Sequence, residues 1–206
     1  MDILFSHVSI VTMDERMSVW VDAFLGVTDG RIAYIGKNAP EEKPERILDG
    51  AGMVLMPGLV NCHTHLPMSL LRGYGEELPL SEWLSRSIFP QEERMDARSV
   101  KAAALLSIAE CLRFGVTSVS DMYFCSDAVA EAVAESGIKA NLCHAVTTDR
   151  TDDFDPDTDP DFREAEALHD KWHGYDGGRI RVDCGIHAEY TSTYPAWEAL
   201  SKYALE

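Results

Sequence analysis

Two rhythms of apolar residues divide the chain. Up to about residue 55 the apolar positions come in short pieces, at residues 3–6, 8–12, 23–28, 31–35 and 53–55, each suited to a strand. Polar turns separate them, and Asp29-Gly30 between two apolar runs is a hairpin signal. From Pro57 onward strand and helix patterns alternate. Residues 59–61 read as a strand, and 99–114 as a helix with Ala102, Leu105, Leu106, Ala109 and Leu112 on one face. Gly115 closes that helix, and a strand follows at 116–120. The same alternation predicts helices at 126–136 and 161–172, strands at 138–146 and 180–186, and a last helix from 196 to 205. Repeated strand-then-helix units mean a parallel sheet and an α/β class.

The first strand of that region runs into candidate chemistry: Met56-Pro57-Gly58-Leu59-Val60-Asn61-Cys62-His63-Thr64-His65. With a strand repeat of two, His63 and His65 point to the same side. Two adjacent imidazoles can hold one divalent metal, typically zinc at ~2.0–2.1 Å. This Pro-Gly-Leu-Val-x-x-His-x-His segment resembles the first metal motif of the amidohydrolase superfamily. Leu66-Pro67-Met68-Ser69-Leu70-Leu71-Arg72-Gly73 and Leu80-Ser81-Glu82-Trp83-Leu84 are similar to the branch of methylthioadenosine/S-adenosylhomocysteine deaminases, with guanine deaminases and triazine hydrolases as cousins. The likeness runs from about Leu4 to the last residue. It implies that residues 57–206 are the first four βα units of a metal-dependent (β/α)8 TIM barrel. Residues 1–56 are then part of a small β-sandwich.

The resemblance also implies roles. His63 and His65 are metal ligands, the metal being Zn2+, with Fe2+ or Mn2+ as alternatives. His187, in Gly185-Ile186-His187-Ala188-Glu189-Tyr190, matches the family's Gly-x-His-x-x-Tyr and is expected to contact a substrate heterocycle. Trp83 is expected to pack on substrate and Glu92 to bind ribose hydroxyls. Trp83 also fits a plain core role at helical spacing with Leu80, Leu84 and Ile88. His144 stands where members accepting S-adenosylhomocysteine carry an arginine for the amino-acid carboxylate, and an imidazole is a weaker clamp than a guanidinium. Arg150 lies nearby in sequence as a substitute. Asp121 is expected at the same mouth in a structural hydrogen bond. The family's remaining ligands are a strand-five histidine within His-x-x-Glu and a strand-eight aspartate. None of the seven histidines begins His-x-x-Glu, so no proton-shuttle glutamate is found.

The implied function of the intact form is metal-dependent hydrolytic deamination of an aminated heterocycle such as an adenosine-type nucleoside. Hydrolysis of another C–N or C–halide bond is an alternative, as is a catalytically incomplete fragment acting only in assembly. The 206-residue chain alone is expected to be inactive. His187-Ala188-Glu189 also matches the His-x-Glu of another zinc deaminase class, but the required Pro-Cys-x-x-Cys does not follow.

Composition narrows the partners. A net charge of −17 argues against nucleic acid, while the small-molecule substrate is what the resemblance implies. No apolar run approaches a membrane span and no secretory signal is visible. The five cysteines are scattered without a Cys-x-x-Cys pair, so buried free thiols in a reducing cytoplasm are expected. Asp155, Asp157, Asp159 and Glu166 have calcium-loop spacing, but Pro160 occupies the turn position that needs glycine, leaving a solvated acidic loop. Open edges on half a barrel predict a homo-oligomer or a missing C-terminal half.

Overall fold

A computed structural model describes residues 1–148 and 154–205; Arg150 and part of the acidic loop, Asp152 and Asp153, lie outside them. The chain divides into two compact units, Met1–Gly58 and Leu59–Glu206.

The first unit is a mixed five-stranded sheet. Strand β1 (Ile3–Val11) lies between β2 (Val19–Thr28), antiparallel, and β4 (Arg46–Asp49), parallel; β3 (Arg31–Gly36) extends the other side of β2, and β5 (Val54–Leu55) pairs with β1. The hairpin at Asp29-Gly30 forms as its sequence dictates, with both residues at positive φ, the geometry of a primed two-residue turn. Val8, Ile10, Ala23 and Leu25 form its buried core. Two expectations change. Residues 3–6 and 8–12 belong to one strand, because His7 sits at φ +54° in a bulge that keeps Leu4, Ser6, Val8 and Ile10 on the buried side. β4 was not foreseen: Arg46-Ile47-Leu48-Asp49 has only two central apolar residues and no clear alternation.

The second unit is a four-stranded parallel sheet in strictly sequential order: β6 (Leu59–Thr64), β7 (Val116–Tyr123), β8 (Lys139–His144), β9 (Ile180–Val182). Helices α1 (Ala97–Arg113), α2 (Ser126–Ser136) and α3 (Pro160–Trp172) connect or follow these strands, and α4 (Tyr194–Tyr203) comes after β9. Each helix has a local reason to begin or end. Asp96 and Ser99 close a reciprocal capping box at the start of α1, the Asp159 carboxylate caps α3, and Gly137 at φ +80° ends α2. Val100, Ile108, Val129, Val133 and Leu168 of the helices pack against Val119, Ala140, Leu142 and Ile180 of the sheet. Alternate positions, among them Ser120, Met122, Asn141 and Cys143, are only partly buried. The sheet therefore has one face closed by helices and a more open face opposite it.

The ladder is shorter than the apolar runs suggest. β8 stops at His144 and β9 at Val182, although a single bridge between Val146 and Ile186 carries the pairing further. All five cysteines are free, but the expected burial is corrected: Cys62 is exposed on β6, and the others are half-buried. The calcium-spaced carboxylates act locally instead. Asp155 accepts from the Asp157 N–H and Asp159 from the Phe162 N–H. No helix among the described residues is long and apolar enough to cross a membrane.

Candidate functional site

The C-terminal ends of the parallel strands meet a helical run over residues 80–92 around a cavity of about 360 Å3. That volume lies within the range of small-molecule sites. The middle of the run, Trp83–Ile88, is wound as π-helix, a form that concentrates at functional sites.

The histidine pair is set by the residue between its members. The Thr64 hydroxyl lies 2.8 Å from both the Ser120 carbonyl and Asp121 Oδ1, which draws Thr64 towards β7. The Leu66 N–H donates to the same Asp121 oxygen at 2.6 Å. With Thr64 held there, His63 and His65 are directed to the other side, and their rings stand 5.0 Å apart in an edge-to-face arrangement. Asp121 is 3 % exposed. It lies beneath the histidines, not at the mouth where the sequence suggested. Burial pushes its carboxyl up to about 6, against the opposing effect of the Leu66 and Thr64 donors.

His65 Nδ1 lies 2.8 Å from the Met122 carbonyl. A carbonyl can only accept, so the ring proton is on Nδ1 and the Nε2 lone pair is left for a metal, the usual arrangement of a ligating histidine. His63 is exposed beside it. This donor pair fits a divalent metal in kind. Among the described residues no group of three or more His, Cys, Asp or Glu converges on one point, so the pair accounts for two ligands.

Four of the expected substrate or metal residues, His65, Trp83, Glu92 and His187, line the one cavity. The Trp83 indole N–H donates to the Tyr74 carbonyl at 3.0 Å, which fixes the ring in the wall. The Tyr123 hydroxyl donates to Glu92 Oε1 at 2.7 Å. Burial raises the Glu92 carboxyl above its usual range despite Tyr123 and the nearby His65, and burial also raises the Tyr123 phenol, keeping it a donor. His187 Nδ1 lies 2.7 Å from the Thr191 hydroxyl, and burial, together with proximity to His65, favours its neutral form. Met68, Leu84 and Ile88 supply apolar wall.

His144 is the exception. It shares its row of β8 with Ala140 and Leu142, which pack on helices, whereas Ala145 and Thr147 of the alternate row line the cavity. The side chain is 2 % exposed, with Nδ1 3.1 Å from the Ser126 hydroxyl. The expected substrate contact by His144 is therefore corrected: the period of two turns it to the helix layer. Sequence reasoning missed Tyr123, Thr147 and Asp161, which also line the cavity. Tyr123 shares the buried row of Val119 and Asp121 and pairs with His144, so strand parity alone does not point it to the cavity. Nothing local to Asp161, three residues from Thr158 in an acidic loop, distinguishes it from its neighbours.

Comparisons with known proteins agree with this architecture. A 5-methylthioadenosine/S-adenosylhomocysteine deaminase of Thermoanaerobacter pseudethanolicus is 36% identical over 191 residues, covering 93% of this chain and 44% of that protein. A 5′-deoxyadenosine deaminase of Methanosarcina acetivorans is 36% identical over 190 residues, covering 92% of this chain and 43% of that one. The chain thus spans about half the length of the curated relatives it matches. Among solved structures, an adenosine deaminase from Xanthomonas campestris with bound zinc superposes with a TM-score of 0.86 at 31% identity, covering 98% of this chain and 46% of that one. The family model described as "Amidohydrolase family" matches residues 54–206, the span that contains the parallel sheet, the paired histidines and the cavity. By that match the chain belongs to the amidohydrolase family.

Proposed function

We propose that this chain is part of a zinc-dependent hydrolase that deaminates an adenosine-type nucleoside. In this reading residues 57–206 are the first four βα units of a (β/α)8 barrel and residues 1–56 contribute to a composite β-sandwich. The observation that carries it is the convergence of His65, Trp83, Glu92 and His187 on one cavity at the ends of the strands. The relatives named for deamination of adenosine derivatives support the substrate class. The sequential order of the sheet, with β6 and β9 both unpaired on one side, supports closure by further strands, from a longer chain or a second copy. Five unpaired thiols support a reducing, cytoplasmic setting.

His63 and His65 would hold the metal, which when bound supplies hydroxide at neutral pH by acidifying its water. The other residues bind and orient. His187, neutral and held by Thr191, presents its remaining ring nitrogen to the heterocycle. Trp83 packs on the nucleoside through its face. Glu92, with Oε1 held by Tyr123, keeps Oε2 to accept from the sugar hydroxyls. The apolar wall of Met68, Leu84 and Ile88 keeps water away from the ring.

The test is ammonia release from adenosine, 5′-deoxyadenosine and methylthioadenosine by the metal-loaded full-length enzyme, alongside His63→Ala/His65→Ala. Release by the wild type with metal occupancy collapsing in the double variant is the expected result. Turnover of none of these nucleosides would refute the deaminase reading, and unchanged occupancy would refute the metal assignment.

A further inference from the structure

A second carboxylate faces the cavity, and the assigned machinery leaves it unused. Asp161, in the first turn of α3, lines the wall together with Thr147. Its Oδ2 accepts from the Thr147 N–H at 2.9 Å and from the Thr147 hydroxyl at 2.7 Å. Its Oδ1 lies 3.6 Å from His144 Nε2, beyond hydrogen-bond reach but within ion-pair range. His144 Nε2 is buried without a hydrogen-bond partner, and its ring is fixed from behind by Ser126. The Asp161 side chain remains 30 % exposed. It is thus a carboxylate held rigidly by one oxygen while the other keeps capacity for a ligand.

Its position and the local field define what it would accept. His63 and His65 stand at the end of β6 and Thr147 just beyond the end of β8, two strand spacings away, roughly 10 Å. A nucleoside whose ring amine is directed to the histidines has its sugar end to extend over this distance. Among the described residues no lysine or arginine lines the cavity; its charged members are Glu92 and Asp161. Burial raises Glu92 towards its neutral form. Asp161 goes the other way: burial opposes its charge, but His144 and the Thr147 donors hold it below the usual carboxylate range.

We propose that Asp161 is a specificity-determining residue, whose carboxylate favours substrates with a hydrogen-bond donor or positive charge on the sugar 5′ position and rejects those with an anionic group there. The inference rests on the deaminase reading and goes beyond it by naming the class of 5′ substituent. A carboxylate brought up to Asp161 meets a like charge, with no lysine or arginine among the described residues of the wall to offset it.

A charge series decides it. 5′-Amino-5′-deoxyadenosine, 5′-deoxyadenosine and adenosine-5′-carboxylate are assayed for ammonia release with the metal-loaded full-length enzyme and with Asp161→Asn and Asp161→Glu. In the wild type, kcat/KM falls from the amine to the neutral compound to the carboxylate. Asp161→Asn lowers the amine-to-carboxylate ratio by at least about tenfold, with the neutral compound changed by less than about threefold. Asp161→Glu, which keeps the charge, keeps the ranking. A wild type that turns over the amine and the carboxylate equally overturns the proposal without need of any variant, and so does an unchanged ratio in folded Asp161→Asn. If no nucleoside releases ammonia, the deaminase reading fails by itself. Calorimetric binding of the same three compounds then judges Asp161 alone: the same order upholds it, and equal affinities overturn it.

Discussion

At the scale of single residues, the histidine pair depends on a carboxylate that never reaches the cavity. Asp121 Oδ1 gathers the Leu66 N–H and the Thr64 hydroxyl, and those two contacts decide how the chain leaves β6. Removing the carboxylate strands a buried backbone donor. Asp121→Ala is expected to cost about 2–3 kcal/mol of stability, the penalty of one buried unsatisfied N–H with some lost packing. It should also weaken metal occupancy through the displaced histidines. Chemical denaturation with metal analysis of the folded fraction checks both, and a folded variant with full occupancy would show that Asp121 does not position them. Much at this scale was legible. His63 and His65 follow from a motif, and His187, Glu92 and Trp83 from resemblance, and all but the exposed His63 line the cavity. His144 matches the family position in sequence but not in space, because it shares its row of β8 with Ala140 and Leu142 and is buried against the helices. Asp161 was invisible because its distinction is tertiary: Thr147, fourteen residues earlier, brings it to the wall.

At the scale of elements, periodicity located α1 to α4, and glycine located the ends of α1 and α2. Gly137 shows why that signal works. It ends α2 at φ +80°, its N–H returns to the Val133 carbonyl, and a methyl group built on it would meet nothing within 4 Å. Gly137→Ala should therefore cost about 1 kcal/mol from left-handed strain alone. A denaturation midpoint lowered with unchanged m-value fits this, whereas no loss would mean the helix end relaxes freely. The elements that escaped the pattern share a physical cause. β4 is a short partner of β1 whose stability comes from pairing, and the π-wound stretch Trp83–Ile88 follows neither the strand nor the ordinary helix period. Local sequence cannot announce an element that only its neighbour makes stable.

For the whole molecule, the dominant property is charge. A net −17 spread over 206 residues repels itself, most strongly when few ions are present. Thermal unfolding in sodium chloride rising from about 0.01 to 0.15 M should show a higher midpoint, by about 2–4 °C for each kcal/mol of repulsion relieved. A flat or falling midpoint would mean that local ion pairs such as Arg72–Glu110 outweigh the global field. The class of the second unit, a parallel sheet backed by helices, was readable from alternation alone, since each strand–helix unit carries its own period.

The sequential order of β6, β7, β8 and β9 has a consequence for how this protein comes into being. Each strand after β6 pairs with the strand that precedes it in the chain, so no pairing has to wait for a later strand. Each pairing still closes a loop through an intervening helix, and parallel connections of this kind form slowly compared with local contacts. The sequential order nonetheless lets the sheet be laid down as the ribosome delivers it, each new strand docking on the last. At every stage only the newest margin, together with the starting strand β6, is left open to a wrong neighbour.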